Sequence, residues 1–206
     1  MDKKKDDLHG NAPNSSPVAL LLIDLINDLE FPGGDQLLEP TRSIAQSILK
    51  LKQQAKASGV PIIYVNDNFG RWRSDSSELV DHVLHDGVRG QFLAELLQPD
   101  QDDYVVLKAK NSAFYETTLD LLLTHLHVRH LVLTGISTDS CVLFTANDAY
   151  MRNLKLSIPS DCVAAINPAH TRDALAYMER VLDADILPST NLDLADLRQQ
   201  ASVDVS

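Results

Sequence analysis

Three residues with more chemistry than a core needs stand at or just past the ends of apolar runs. Asp24 follows Val18-Ala19-Leu20-Leu21-Leu22-Ile23, Lys108 follows Tyr104-Val105-Val106-Leu107, and Cys141 comes shortly after His130-Leu131-Val132-Leu133-Thr134. A carboxylate, an ammonium and a thiol brought to one edge of a sheet can support nucleophilic catalysis. The carboxylate takes the thiol proton, the ammonium stabilises the resulting anion, and the sulfur attacks a carbonyl. Cys141 ends the run Gly135-Ile136-Ser137-Thr138-Asp139-Ser140-Cys141, which reads as a short polar turn opening a helix over about residues 139–152. Unpaired backbone N–H groups and the positive end of the helix dipole in such a first turn favour thiolate over thiol.

These side chains can meet only if their elements converge. The runs 18–24, 60–66, 104–108, 130–134, 155–159 and 184–188 are predicted strands, and the first is apolar on both faces, as the centre of a parallel sheet requires. Helical stretches alternate with them. One covers 41–57, with Ile44, Ile48 and Leu51 at helical spacing and Ser58-Gly59 closing it. Others cover 78–97 (broken around Asp86-Gly87), 117–126, 139–152, 168–182 and 192–200. This alternation predicts an α/β fold: a doubly wound, mostly parallel six-stranded sheet with helices on both faces, a Rossmann-like three-layer sandwich. Ligands of such sheets bind beyond the carboxyl ends of the strands, where the strand order reverses. Asp24, Lys108 and Cys141 all fall at that edge.

Composition narrows the field. The 206 residues, 44% hydrophobic and 23% charged, fit one globular domain over 17–206, preceded by a polar tail over 1–16 expected to be disordered. No run approaches the roughly 20 apolar residues of a membrane span, and the polar start has no signal-peptide core. A net charge of −11 argues against nucleic acid as a partner. Cys141 and Cys162 are the two cysteines, without disulfide or zinc spacing, which fits a reducing, cytoplasmic setting. No glycine-rich dinucleotide or phosphate motif is present, and no cofactor is expected. Phe31-Pro32-Gly33-Gly34 reads as a turn or cover loop, Cys162 as a packing residue, and His125, His127 and His130 as solvated residues around a helix end.

Taken together, the segments resemble the isochorismatase-like cysteine hydrolases, a family that includes nicotinamidases and related amidases. Leu21-Leu22-Ile23-Asp24-Leu25-Ile26-Asn27-Asp28 resembles the family's opening strand. Lys108-Ala109-Lys110-Asn111-Ser112-Ala113-Phe114 resembles its lysine segment, and Gly135 to Val142 its nucleophile turn, with Thr145-Ala146-Asn147-Asp148-Ala149 continuing behind it. The resemblance implies Asp24 as general base, Lys108 as the catalytic lysine and Cys141 as nucleophile. It further implies a cis peptide between Ile136 and Ser137, and an oxyanion hole made by the backbone N–H groups of Ser137 and Cys141. Small-molecule substrates and assembly as homodimers or homotetramers are implied in the same way.

The departures also inform. Nicotinamidases of this family typically carry an Asp-x-His metal cluster after the second strand, whereas Asn66-Asp67-Asn68-Phe69-Gly70-Arg71-Trp72-Arg73 holds no histidine before His82, so no metal site is expected. Asn68, Phe69 and Trp72 lie on the loop leaving that strand and are candidates for the pocket mouth. The nucleophilic cysteine favours cleavage of an amide-type C–N bond. Vinyl-ether hydrolysis, nicotinamide hydrolysis and an inert binding or scaffold role stay open as alternatives.

Overall fold

The structure, a computed structural model, describes residues 15–70 and 76–203. Trp72 and the tail up to residue 14 lie outside the described residues. Ser16, counted with the tail, is fully buried, with its N–H donating to the Leu126 carbonyl at 2.8 Å.

The first strand, β1 (Val18–Ile23), has six buried residues, which places it inside the sheet. Its pleat sends Val18, Leu20 and Leu22 to one face and Ala19, Leu21 and Ile23 to the other, so it serves two cores. The strands β2 (Ile62–Asp67), β3 (Tyr104–Lys108), β4 (His130–Ile136), β5 (Lys155–Ser157) and β6 (Val163–Ala164) complete a sheet of order β3-β2-β1-β4-β5, with β6 also paired to β4. Every pairing between these strands is parallel. The helices α1 (Gly34–Ala57), α2 (Ser76–His85), α3 (Gln91–Leu97) and α7 (Leu194–Val203) cover one face. The other face is covered by α4 (Leu119–Leu126), α5 (Leu143–Tyr150) and α6 (Pro168–Leu182). Strand order reverses between β1 and β4, which sets the switch point beside Asp24. No helix among the described residues is long and apolar enough to cross a membrane.

The fold class is the predicted one, with local corrections. The sixth strand is Val163–Ala164, not 184–188. β5 stops at Ser157, two residues before Pro159, while β4 runs on, leaving Gly135 and Ile136 to pair with Val163 and Ala164. Around Asp185 the chain makes only the single bridge to Ser157. Helix α1 starts at Gly34, seven residues before the expected start, and runs through Pro40. Thr41 Oγ1 donates to the carbonyls of Leu37 and Leu38, each at 2.8 Å, and so binds the turn that the proline weakens. His130 is buried, its Nε2 2.9 Å from Ser157 Oγ, and burial pushes its pKa down to about 4. His125 and His127 are exposed, as expected.

Gly135 brings the turn that carries Cys141 against β1. Its φ of +119° suits glycine alone, and a Cβ there would meet the Ile23 carbonyl oxygen at 2.0 Å. Gly135→Ala is therefore expected to destabilise the protein by about 3 kcal/mol or more, read as a lowered midpoint in chemical denaturation. A midpoint within experimental error of wild type would show that β1 and β4 can separate at no cost.

Candidate active site

The strand ends deliver the three reactive side chains to one point. Asp24 follows β1 with a φ of +54°, a left-handed conformation that aspartate tolerates better than most residues, and this turns the chain out of the sheet at once. Its N–H still donates to the Val65 carbonyl at 2.9 Å, so the turn stays fastened to β2. Asp24 Oδ1 accepts from the Asp67 N–H at 2.8 Å, and Oδ2 lies 2.9 Å from Lys108 Nζ. Lys108 ends the edge strand β3 and reaches back across β2, whose Asp67 is its register partner. Its side chain has no exposure to solvent. Lys108 Nζ donates to Cys141 Sγ at 3.4 Å and stands 3.9 Å from Asp67 Oδ2.

Cys141 sits in a wide π-type turn, Thr138–Val142, that precedes α5. The Ile136–Ser137 peptide is cis. Ser137 extends, its carbonyl accepting from the N–H groups of Ser140 at 3.1 Å and Val142 at 3.2 Å. Asp139 ties the turn down by accepting from Ser137 Oγ at 2.5 Å and pairing with His170 Nδ1 of α6 at 3.1 Å.

The expectation of a helix-stabilised thiolate is not met in the resting site. Burial foremost, then the Asp24 charge, pushes the Cys141 thiol up to about 12, against the opposing pull of Lys108. The sulfur accepts from the Lys108 ammonium, and burial with the Asp24 charge favours its protonated form. Burial also raises the pKa of Asp24 despite Lys108, so this carboxylate binds a proton more strongly than a solvated one. Burial opposes the Lys108 ammonium, but Asp24, Cys141 and Asp67 together outweigh it and raise its pKa. Burial and the neighbouring charges thus favour an ammonium on Lys108 and a thiol on Cys141.

A cleft of about 350 Å³ opens onto this group. Asp24, Ser137 and Cys141 supply its reactive side, while Phe31, Phe69 and Ile166 come from separate loops to form an apolar wall. Phe31 comes from the expected cover loop and Phe69 from the expected mouth. Asn68 instead lines a neighbouring cavity of about 130 Å³ with Asp28, Glu78 and His82. Ile166 and Asp67 were not anticipated. Ile166 follows β6, a strand too short to read from sequence, and Asp67 is set by register rather than by any motif. Among the described residues no group of three or more His, Cys, Asp or Glu side chains is arranged to hold a metal ion.

A thiol, a carboxylate and an ammonium gathered at the switch point of a parallel sheet define a site suited to hydrolysis through a cysteine. Comparison with known proteins places the chain among hydrolases. The isochorismatase domain profile matches residues 18–186, and the chain belongs to the isochorismatase family of hydrolases. It is 44% identical over 168 residues to YaaI, an uncharacterised family member of Bacillus subtilis, covering 82% of this chain and 92% of the relative. Among solved structures, the nicotinamidase of Staphylococcus aureus superposes with a TM-score of 0.65 at 26% identity, over 84% of this chain and 99% of that one. The N-carbamoylsarcosine amidase of Thermoplasma acidophilum gives 0.65 at 28% identity, over 85% and 98%.

The charge arrangement predicts opposite effects for two substitutions. Asp24→Asn removes the charge that holds the thiol protonated, so Cys141 should alkylate at least about tenfold faster at pH 8, one pKa unit being tenfold. Lys108→Ala should slow it. With a thiol near 12, labelling of the wild type should climb about tenfold per pH unit up to pH 10 without a plateau. Peptide mass spectrometry reads both effects, with buried Cys162 as internal control. Slower labelling in Asp24→Asn would mean that Asp24 already draws the proton from the resting thiol, so that its charge does not hold the thiol protonated.

Proposed function

We propose that this protein is a cysteine hydrolase that cleaves an amide-type C–N bond of a small molecule through a thioester on Cys141. One observation carries the reading: Lys108 Nζ stands 2.9 Å from Asp24 and 3.4 Å from Cys141 Sγ, with Asp24 and Cys141 both open to the same cleft. Asp24 takes the thiol proton as sulfur bonds to the carbonyl carbon, and the carbonyl electron pair moves onto oxygen. The backbone N–H groups of Ser137 and Cys141 receive that oxyanion. Asp24 then returns the proton to the nitrogen as the C–N bond breaks. Water, deprotonated by Asp24, cleaves the thioester, releasing a carboxylic acid and restoring the thiol. Lys108 keeps its proton throughout and offsets the negative charge as it moves among carboxylate, sulfur and oxyanion.

The apolar wall and the small cleft suit a compact amide with a flat or apolar body. Two structural neighbours are named for nicotinamide and N-carbamoylsarcosine, and both compounds contain amide-type C–N bonds. The raised pKa of Asp24 has a kinetic sign. Because the base must be ionised, kcat/KM should fall as acid protonates it, with the acid limb above the ordinary carboxylate range.

Ammonia release from a panel of small primary amides and ureides tests the proposal. Turnover by the wild type should drop by at least about a thousandfold in Cys141→Ala, and a slow substrate should leave an acyl adduct on the Cys141 peptide. Turnover that persists in Cys141→Ala, or a panel with no turnover at all, would sink it.

A further inference from the structure

The lysine and the nucleophile belong to elements that the sheet does not hold together. β3 is an edge strand paired only with β2, and both β2 and β1 stand between it and β4. What joins them directly is the loop after Lys108, which folds onto the turn and helix that carry Cys141. Asn111 Nδ2 donates to Ser140 Oγ at 2.5 Å, and the Ala113 N–H donates to Thr145 Oγ1 at 3.0 Å. Ser112 is buried, its hydroxyl donating to Asp148 Oδ2 while accepting from the Phe114 N–H at 3.1 Å. The other oxygen of Asp148 faces Arg152 Nη1 at 3.8 Å, and the Arg152 guanidinium lies 4.5 Å over the Phe114 ring. The Asn111–Ser140, Ala113–Thr145, Ser112–Asp148 and Phe114–Arg152 contacts each join the lysine's loop to the turn that carries Cys141 or to the helix and residues that follow it, and that convergence is more than a loop needs merely to be covered.

We propose that the Ser112–Asp148 hydrogen bond is a clamp that sets the Lys108–Cys141 separation, making both residues positioning residues for the hydrolysis. The inference rests on the roles given above to Lys108 and Cys141. Neither Ser112 nor Asp148 lines the catalytic cleft, so both act through the distance between the other two. Loss of the clamp lets the loop drift from α5, weakens the ammonium's hold on sulfur and lowers the thiolate fraction. Asparagine at 148 keeps an oxygen that accepts from Ser112, and alanine does not.

The test is the pH profile of Cys141 alkylation in Ser112→Ala, Asp148→Ala and Asp148→Asn, each first checked for a wild-type thermal transition. Both alanine variants should label about tenfold more slowly than wild type at pH 8, equivalent to one unit in the thiol pKa. Asp148→Asn should stay within about twofold, because the hydrogen bond that sets the separation survives. On an amide that the wild type hydrolyses, kcat should fall in the alanine variants with KM little changed. Ser112→Ala provides the answer if Asp148→Ala does not fold. Labelling profiles that superimpose on wild type, or an asparagine variant as slow as alanine, would overturn the clamp. Labelling shifts without turnover of any amide by the wild type would sink the proposed function while leaving the clamp standing.

Discussion

Lys108 places an ammonium where no water reaches its side chain, and a charge so placed is tolerated only with partners of opposite sign at contact distance. Removing one member of a buried pair leaves the other uncompensated and costs about 3–5 kcal/mol. The arrangement of strand ends follows from that requirement. Asp24 must leave the sheet immediately after Ile23 to bring an oxygen to 2.9 Å, and it adopts a left-handed backbone to do so. Asp67 must sit in register with Lys108, close enough to add its charge without closing the cleft. The glycine at 135 then lets the turn that carries Cys141 come close enough to β1 for the sulfur to share the same cation.

That pairing also explains why the thiol rests protonated. Asp24 and Cys141 share one cation, and burial raises the cost of an anion on either of them. Lys108 stands nearer the Asp24 carboxyl than the sulfur, at 2.9 Å against 3.4 Å. The proton therefore waits on sulfur beside a carboxylate whose basicity burial has increased. In the proposed hydrolysis, deprotonation belongs to the encounter with substrate, when a carbonyl offers the electrons somewhere to go.

The sheet was legible because its determinants are local and repeated. Doubly apolar runs marked the parallel strands, Ser58-Gly59 marked the end of α1, and Asn167 with Pro168 forms a helix start whose side-chain oxygen accepts from Ala169 N–H at 2.9 Å. Elements that depend on pairing rather than pattern were not legible. Val163–Ala164 is a strand because β4 outruns β5, and two residues carry no periodicity of their own. The candidate site residues could be named because each closes or follows a recognisable run, but their charges could not be read that way. A thiol at the start of a helical segment suggested a thiolate, and it is burial, with the Asp24 charge beside the sulfur, that reverses the sign. His130 failed similarly, since its partner Ser157 is 27 positions away.

The cleft divides into parts under unequal constraint. Asp24 and Lys108 are almost fully buried, whereas Phe31, Phe69 and Ile166 are each about 40% exposed and sit on loops with little of the core resting on them. Replacing such half-solvated side chains leaves the folded state nearly as stable, since large losses of stability come from buried packing and buried charge. A lineage can therefore exchange its wall one loop at a time, trying new substrates against unaltered machinery without first having to acquire a more robust scaffold.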